Sequence, residues 1–218
     1  MAKTPAWLNF ERVRHGNAQD MREGYCGDDF PLMTESERDE ARQWLLKESM
    51  AGSALELAAL KFVLPTSELL PVLRAVMADS RLTLWGRASA AAALVDADPD
   101  LAQEAIPLLL SALHSPHLSL KAQAMEGLTR VQDRLSAAQL LELADTAAHE
   151  PNESDAYRLI RLLLDGAAGI PFAPQQRTPH GAVAAALSEI ADPARRKAGI
   201  LDALQQVGRQ GVGAPPAA

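Results

Sequence analysis

Between residues 34 and 165, apolar side chains recur three, four and seven positions apart, and Gly, Pro, Asp-Ser or His-Ser clusters break the runs. That spacing puts the apolar residues on one face of a helix, and the breakers end helices and open turns. The pattern predicts paired helices: one opened by Thr34 and running to about Met50, with a partner over 53–64, then 66–77 with 82–95, 101–113 with 118–130, and 136–148 with 153–164. Thr34 and Glu37 form a capping box, in which the threonine hydroxyl accepts from the N3 amide and the glutamate returns to the cap amide. Alternating Val, Ile, Thr and Tyr runs are absent, which predicts no sheet.

The second helix of each pair carries the same marks. The segments 52–60, 86–94, 120–128 and 154–162 close on Leu60, Leu94, Leu128 and Leu162. Their spacing of about 34 residues lies within the range of repeat architectures. Each leucine is preceded six positions earlier by an alanine (Ala54, Ala88, Ala122, Ala156), and the position between holds Leu57, Ala91, Met125 and Leu159. Together these positions predict a shared core face, where the small residue lets two helices approach closely. A unit of this length buries its apolar face by stacking on its neighbours.

Outside the repeats the pattern changes. Residues 1–33 read as an irregular N-terminal arm with a short helix around 9–14, its Trp7, Phe10 and Tyr25 expected to lie over the first repeat and cover its apolar end. After Gly166 the stretch 169–181, with Pro171, Pro174 and Pro179, reads as a long loop. Thr178-Pro179 and Asp192-Pro193 look like N-cap and N1 pairs, for helices to Ile190 and to about Val207. The predicted organisation is an arm (1–33), a repeat domain (34–207, with a divergent last unit at 178–207) and a disordered Gly/Pro/Ala-rich tail (208–218).

The run Gly86-Arg87-Ala88-Ser89-Ala90-Ala91-Ala92-Ala93-Leu94 resembles the second helix of a HEAT-like or armadillo-type repeat, with Arg87 and Lys121 where such repeats favour a basic residue. Pro71-Val72-Leu73 and Pro107-Leu108-Leu109-Leu110 resemble its proline-bearing first helix. Ser53 and Asp155 depart from the basic position. The resemblance covers roughly 36–165 and implies an all-α fold, a right-handed α-α superhelix of about four to five helical hairpins. Tetratricopeptide repeats share the length, but their Trp, Gly, Tyr and Phe signature is not met.

Composition narrows the function. Aromatics are 4% of the chain and the formal net charge is −7, which disfavours non-specific nucleic-acid binding and suits an electropositive protein partner. A local patch of Arg195, Arg196 and Lys197 with Arg209 is the one basic exception. The single cysteine, Cys26, predicts a reducing, cytoplasmic setting. No apolar leader and no run of about 18 apolar residues is present.

Candidate chemistry is sparse. His149-Glu150 evokes the His-Glu dyads of HEAT-like di-iron hydroxylases, but a site would need several more ligands. His114 and His117 lie in a turn without a Cys or carboxylate partner. Asp96, Asp98 and Asp100 alternate like the start of a calcium loop, but Leu101 stands where glycine is needed and Pro107 where glutamate is needed. Cys26 has no histidine near it in sequence. No phosphate-binding glycine loop or nucleophile elbow appears. The chain therefore predicts neither a metal nor another cofactor.

The remaining candidate is a recognition surface. In HEAT-like stacks the second helices line the concave side. That implies partner-binding rows of Ser89, Gln123 and Tyr157, then Asp96 and Arg130, flanked by Glu126 and Arg158. The function implied is a non-enzymatic protein-binding module. The resemblance to small bacterial HEAT-like proteins, some of which neutralise toxins, implies an immunity protein or adaptor facing a basic toxin. The alternatives are a lyase-like or metal-dependent HEAT-like enzyme or small-molecule binder, and a nucleic-acid-processing HEAT-like protein.

Overall fold

The computed structural model describes residues 3–16, 19, 23–170, 178 and 180–211, the last four by backbone alone. The described residues contain helices and no strand. The helices are α1 (Pro5–His15), α2 (Glu35–Met50), α3 (Ala54–Ala59), α4 (Thr66–Ala78), α5 (Leu84–Ala97), α6 (Ala102–Leu113), α7 (Leu118–Thr129), α8 (Ala137–His149), α9 (Glu153–Ala167), α10 (Gly181–Ser188) and α11 (Pro193–Gly211), with short 3-10 segments between some of them. The chain divides into two compact units, Met1–Leu108 and Leu109–Ala218, the division falling within α6.

In the first unit α2 packs on α3 and α4, α3 on α5, and α4 on α5. Second helices of consecutive hairpins thus lie against each other. Repeat-equivalent glycines at the starts of these two segments come close together: a Cβ built on Gly86 would lie 2.5 Å from the Gly52 carbonyl oxygen and 2.8 Å from its Cα. Gly52 itself has φ +86°, a conformation that glycine adopts without steric cost. With backbones this close, α5 is buried almost all round, at Gly86, Ala88–Ala92, Leu94 and Val95.

The N-terminal stretch is more ordered than its sequence suggests. It opens with α1, capped by the Thr4 hydroxyl, which accepts from the Trp7 amide at 3.1 Å. Phe10 is buried, and its ring centroid lies 5.3 Å from Trp7, 5.2 Å from Tyr25, 6.1 Å from Phe30 and 5.9 Å from Trp44. The aromatics do cover the first hairpin, as expected. They do so from a helix and a 3-10 segment (Gly27–Leu32), not from an irregular arm.

In the second unit α9 is the central helix. It packs on α7, α8, α10 and α11, and residues 159–165 are all buried. Arg196 of α11 reaches the end of α8, donating from Nη1 to the carbonyl oxygens of Glu150 (2.7 Å), Ala148 (3.3 Å) and Ala147 (3.4 Å). A helix leaves its last carbonyls without internal donors, and this guanidinium meets three of them.

The register leucines are core residues: Leu60, Leu94 and Leu128 are 0% exposed and Leu162 is 1%. Leu57, Ala91, Met125 and Leu159 are buried beside them. The alanine register fails. Ala88 and Ala156 are buried, Ala54 is half-buried and Ala122 is exposed, with Ala124 taking the core place in α7. A step of six residues turns the helix by about 120° from the leucine, to the edge of the core face. Only a helix covered on several sides buries that edge.

Two boundaries near the C-terminus also differ. The helix expected from Thr178-Pro179 begins at Gly181 with His180 at its N-cap and no side-chain cap; residues 171–177 and Pro179 of the expected loop lie outside the described residues. Asp192-Pro193 behaves as read: Asp192 Oδ1 accepts from the Arg195 amide at 3.0 Å. α11 continues to Gly211, into the stretch expected to be disordered, and 212–218 lie outside the described residues.

Candidate functional site

The predicted recognition rows are only partly on the surface. In the first unit Ser89 is 3% exposed. At that depth it cannot meet a partner: it stands in the alanine-rich α5, which packs on both α3 and α4. Asp96 is exposed, with Lys61 Nζ 3.8 Å away. In the second unit Glu126, Arg130 and Arg158 are exposed, and Gln123 and Tyr157 are half-buried. Arg130 Nη2 donates to Glu126 Oε1 at 2.6 Å along α7. Tyr157 is approached by α10: a Cβ on Gly181 would lie 3.5 Å from its hydroxyl oxygen.

A different feature of the first unit lies at the Gly52–Gly86 contact. Met50 precedes Gly52 by two residues and is 47% exposed; Trp85 adjoins Gly86 and is 38% exposed. Leu82 also reaches this place, its Cδ2 3.4 Å from a Cβ on Gly52. The contact thus sets two large apolar side chains at one end of the first two hairpins. Trp85 falls outside the repeat register, so the periodic pattern does not single it out.

The residues weighed as metal ligands differ in their surroundings, and so do those of the basic patch. Glu150 turns inward, accepting from Lys121 Nζ at 2.7 Å and from the Asn152 amide at 3.0 Å. His149 instead stays exposed beside Asp145. Among the described residues no three His, Cys, Asp or Glu side chains group as a metal would require. Of the basic patch, Arg195 stays exposed, Arg196 is buried in its capping role, Lys197 Nζ lies 2.5 Å from Asp145 Oδ1, and the Arg209 side chain lies outside what the structure describes. Lys197 is the main cause holding the Asp145 carboxyl below its ordinary value.

The second unit also contains a buried polar cluster. Asp165 on α9 is fully buried; its Oδ2 lies 3.2 Å from Arg161 Nε and its Oδ1 3.0 Å from His180 Nδ1. Nearby, the Gln132 amide donates to the Ile170 carbonyl oxygen, while Gln132 Oε1 is buried without a partner. A signal for the pair is present in the sequence: Arg161 and Asp165 stand four apart inside an apolar run, where an opposite-charge pair lies on one helical face. His180 carries no such signal, since it is contributed from beyond the helix.

No family model, curated protein or solved structure matches the chain. No helix of the described residues is long and apolar enough to cross a membrane.

Proposed function

We propose that the protein is a non-enzymatic module for binding a protein partner, built as a HEAT-like stack of helical hairpins that continues into a right-handed superhelix. The observation that carries this reading is the exposed Met50 and Trp85 flanking the Gly52–Gly86 contact. Tryptophan and methionine are enriched in protein interfaces, and tryptophan dominates their energetic centres. The net charge of −7 favours a basic partner by steering its approach. That balance fits a bacterial toxin-neutralising immunity protein or adaptor working in the cytoplasm. Gln123, Glu126, Arg130, Tyr157 and Arg158 are proposed as contacts of the second unit, and Asp96 as an outlying contact of the first.

Co-purification from the native host at low salt tests the reading. A stoichiometric protein partner, retained by wild-type protein and lost with Trp85→Ala, supports it. Recovery of no partner overturns it, and equal recovery with Trp85→Ala overturns the assigned face.

The buried Asp165 cluster with its unpartnered Gln132 Oε1 favours a second reading, a HEAT-like small-molecule binder or enzyme. Buried carboxylates with specific charge partners occur at functional sites as well as in structural networks. Native mass spectrometry of protein from the host, showing a retained small molecule that Asp165→Asn loses, would favour it over the first.

A further inference from the structure

A cavity of about 160 Å³ opens between α1 and the 3-10 segment Gly27–Leu32. An apolar cavity of about 150 Å³ is large enough for one benzene molecule, so this one accommodates a compact group of similar size. Its walls include three aromatic rings, Phe10, Tyr25 and Phe30. Phe10 meets Tyr25 at a 33° interplanar angle and Phe30 at 72°, so the three rings do not share one plane.

The charges around the cavity are unequal. Arg12 stands in the lining, but its Nη1 lies 2.9 Å from Glu23 Oε2 and its charge is met there. Arg14 lies over the Trp44 ring at 5.1 Å and pairs with Glu11 at 2.9 Å. Asp29 brings a carboxylate into the same lining, met by the neutral amide of Asn9 at 3.5 Å. A second carboxylate stands behind one wall: the Tyr25 hydroxyl donates to Glu56 Oε1 at 3.1 Å, and Glu56 is buried. Burial and this carboxylate hold the Tyr25 phenol above its ordinary value, so it stays protonated and donating. Aromatic faces carry negative potential and attract cations, and both carboxylates add to that potential.

We propose that this cavity binds a small organic cation, an alkylammonium or quaternary ammonium head, with its methyl groups against Phe10, Tyr25 and Phe30 and its charge toward Asp29. Neither Met50 nor Trp85 lines the cavity, and the proposal does not depend on the reading of that face.

Titration of the full chain with tetramethylammonium chloride, followed by amide NMR at constant ionic strength, tests the proposal. tert-Butanol serves as the uncharged probe of similar shape. Saturable shifts confined to 9–13 and 24–33 are expected, with tert-butanol binding about threefold to tenfold more weakly, as a partly desolvated cation–π contact implies. Asp29→Asn should weaken the cation by a similar factor and leave tert-butanol unchanged. Equal affinity for the two probes, no saturable shift, shifts centred elsewhere, or an Asp29→Asn protein that binds the cation undiminished would each overturn the proposal. The two-probe comparison uses wild-type protein and holds whatever the variant's stability.

Discussion

Gly86 meets Gly52 across two consecutive hairpins so closely that any side chain on Gly86 would collide with the Gly52 backbone, 2.5 Å from its carbonyl oxygen. Backbone cannot rotate away as a flexible side chain can. Gly86→Ala is therefore expected to destabilise the first unit by about 1–3 kcal/mol, the usual range for overpacking. Gly52→Ala should cost about 1–3 kcal/mol for a different reason, the left-handed backbone at φ +86°. Urea titration of both variants checks this; a midpoint unchanged in Gly86→Ala would mean that the hairpins do not approach as described.

Glu37 gathers two helix starts at one carboxylate. It accepts from the Thr4 amide (3.0 Å) and hydroxyl (2.9 Å), and from the Thr34 amide (2.9 Å) and hydroxyl (3.0 Å). Burial pushes this carboxyl up, but the four hydrogen bonds outweigh it and hold it at about 2 instead of the ordinary 4.5. The unfolded chain therefore takes up this proton first as pH falls. The stabilisation is fully present above about 4.5 and is lost as pH falls toward about 2. The measurement is the unfolding midpoint as a function of pH for wild type and Glu37→Gln. Their difference should be constant above pH 4.5 and shrink below it; parallel curves throughout would contradict the assignment.

Asp165 is fully buried against Arg161, itself 5% exposed. Removing one partner of a buried ion pair strands the other charge, at a typical cost of about 3–5 kcal/mol. Asp165→Asn should fall in that range. His180→Ala removes one hydrogen bond to the carboxylate and should cost less, about 1–3 kcal/mol. Denaturant unfolding orders the two variants; a larger loss from His180→Ala would make the histidine, and not the arginine, the main partner of the carboxylate.

Truncation of the register leucines tests the shared core. Leu60, Leu94, Leu128 and Leu162 are each at most 1% exposed, and Leu→Ala at such sites costs about 2–5 kcal/mol. Ala122→Ser, at an exposed register position, should change stability by less than about 0.5 kcal/mol. Thermal or urea unfolding separates the two classes.

The local features are legible in the sequence because they depend on neighbours along the chain. The Thr34–Glu37 box forms, Asp192 and Pro193 open a helix, and Leu60, Leu94, Leu128 and Leu162 go inside because a helix carries every third or fourth residue to one face. The size and apolarity of Trp7, Phe10 and Tyr25 suffice to place them against the first hairpin, where Trp44 meets Phe10 and Tyr25.

Tertiary structure decided what depends on how many neighbours a helix has. Ala88 and Ala122 hold the same place in their repeats, yet Ala88 is buried in α5 while Ala122 faces solvent. The pairing of Asp165 with His180, the reach of Arg196 to the end of α8 and the inward turn of Glu150 toward Lys121 join residues 15 to 49 positions apart. Helical periodicity specifies the angle of a side chain about its own axis. Which polar group lies opposite that side chain is specified by the packing of separate helices, and no spacing along the chain records it.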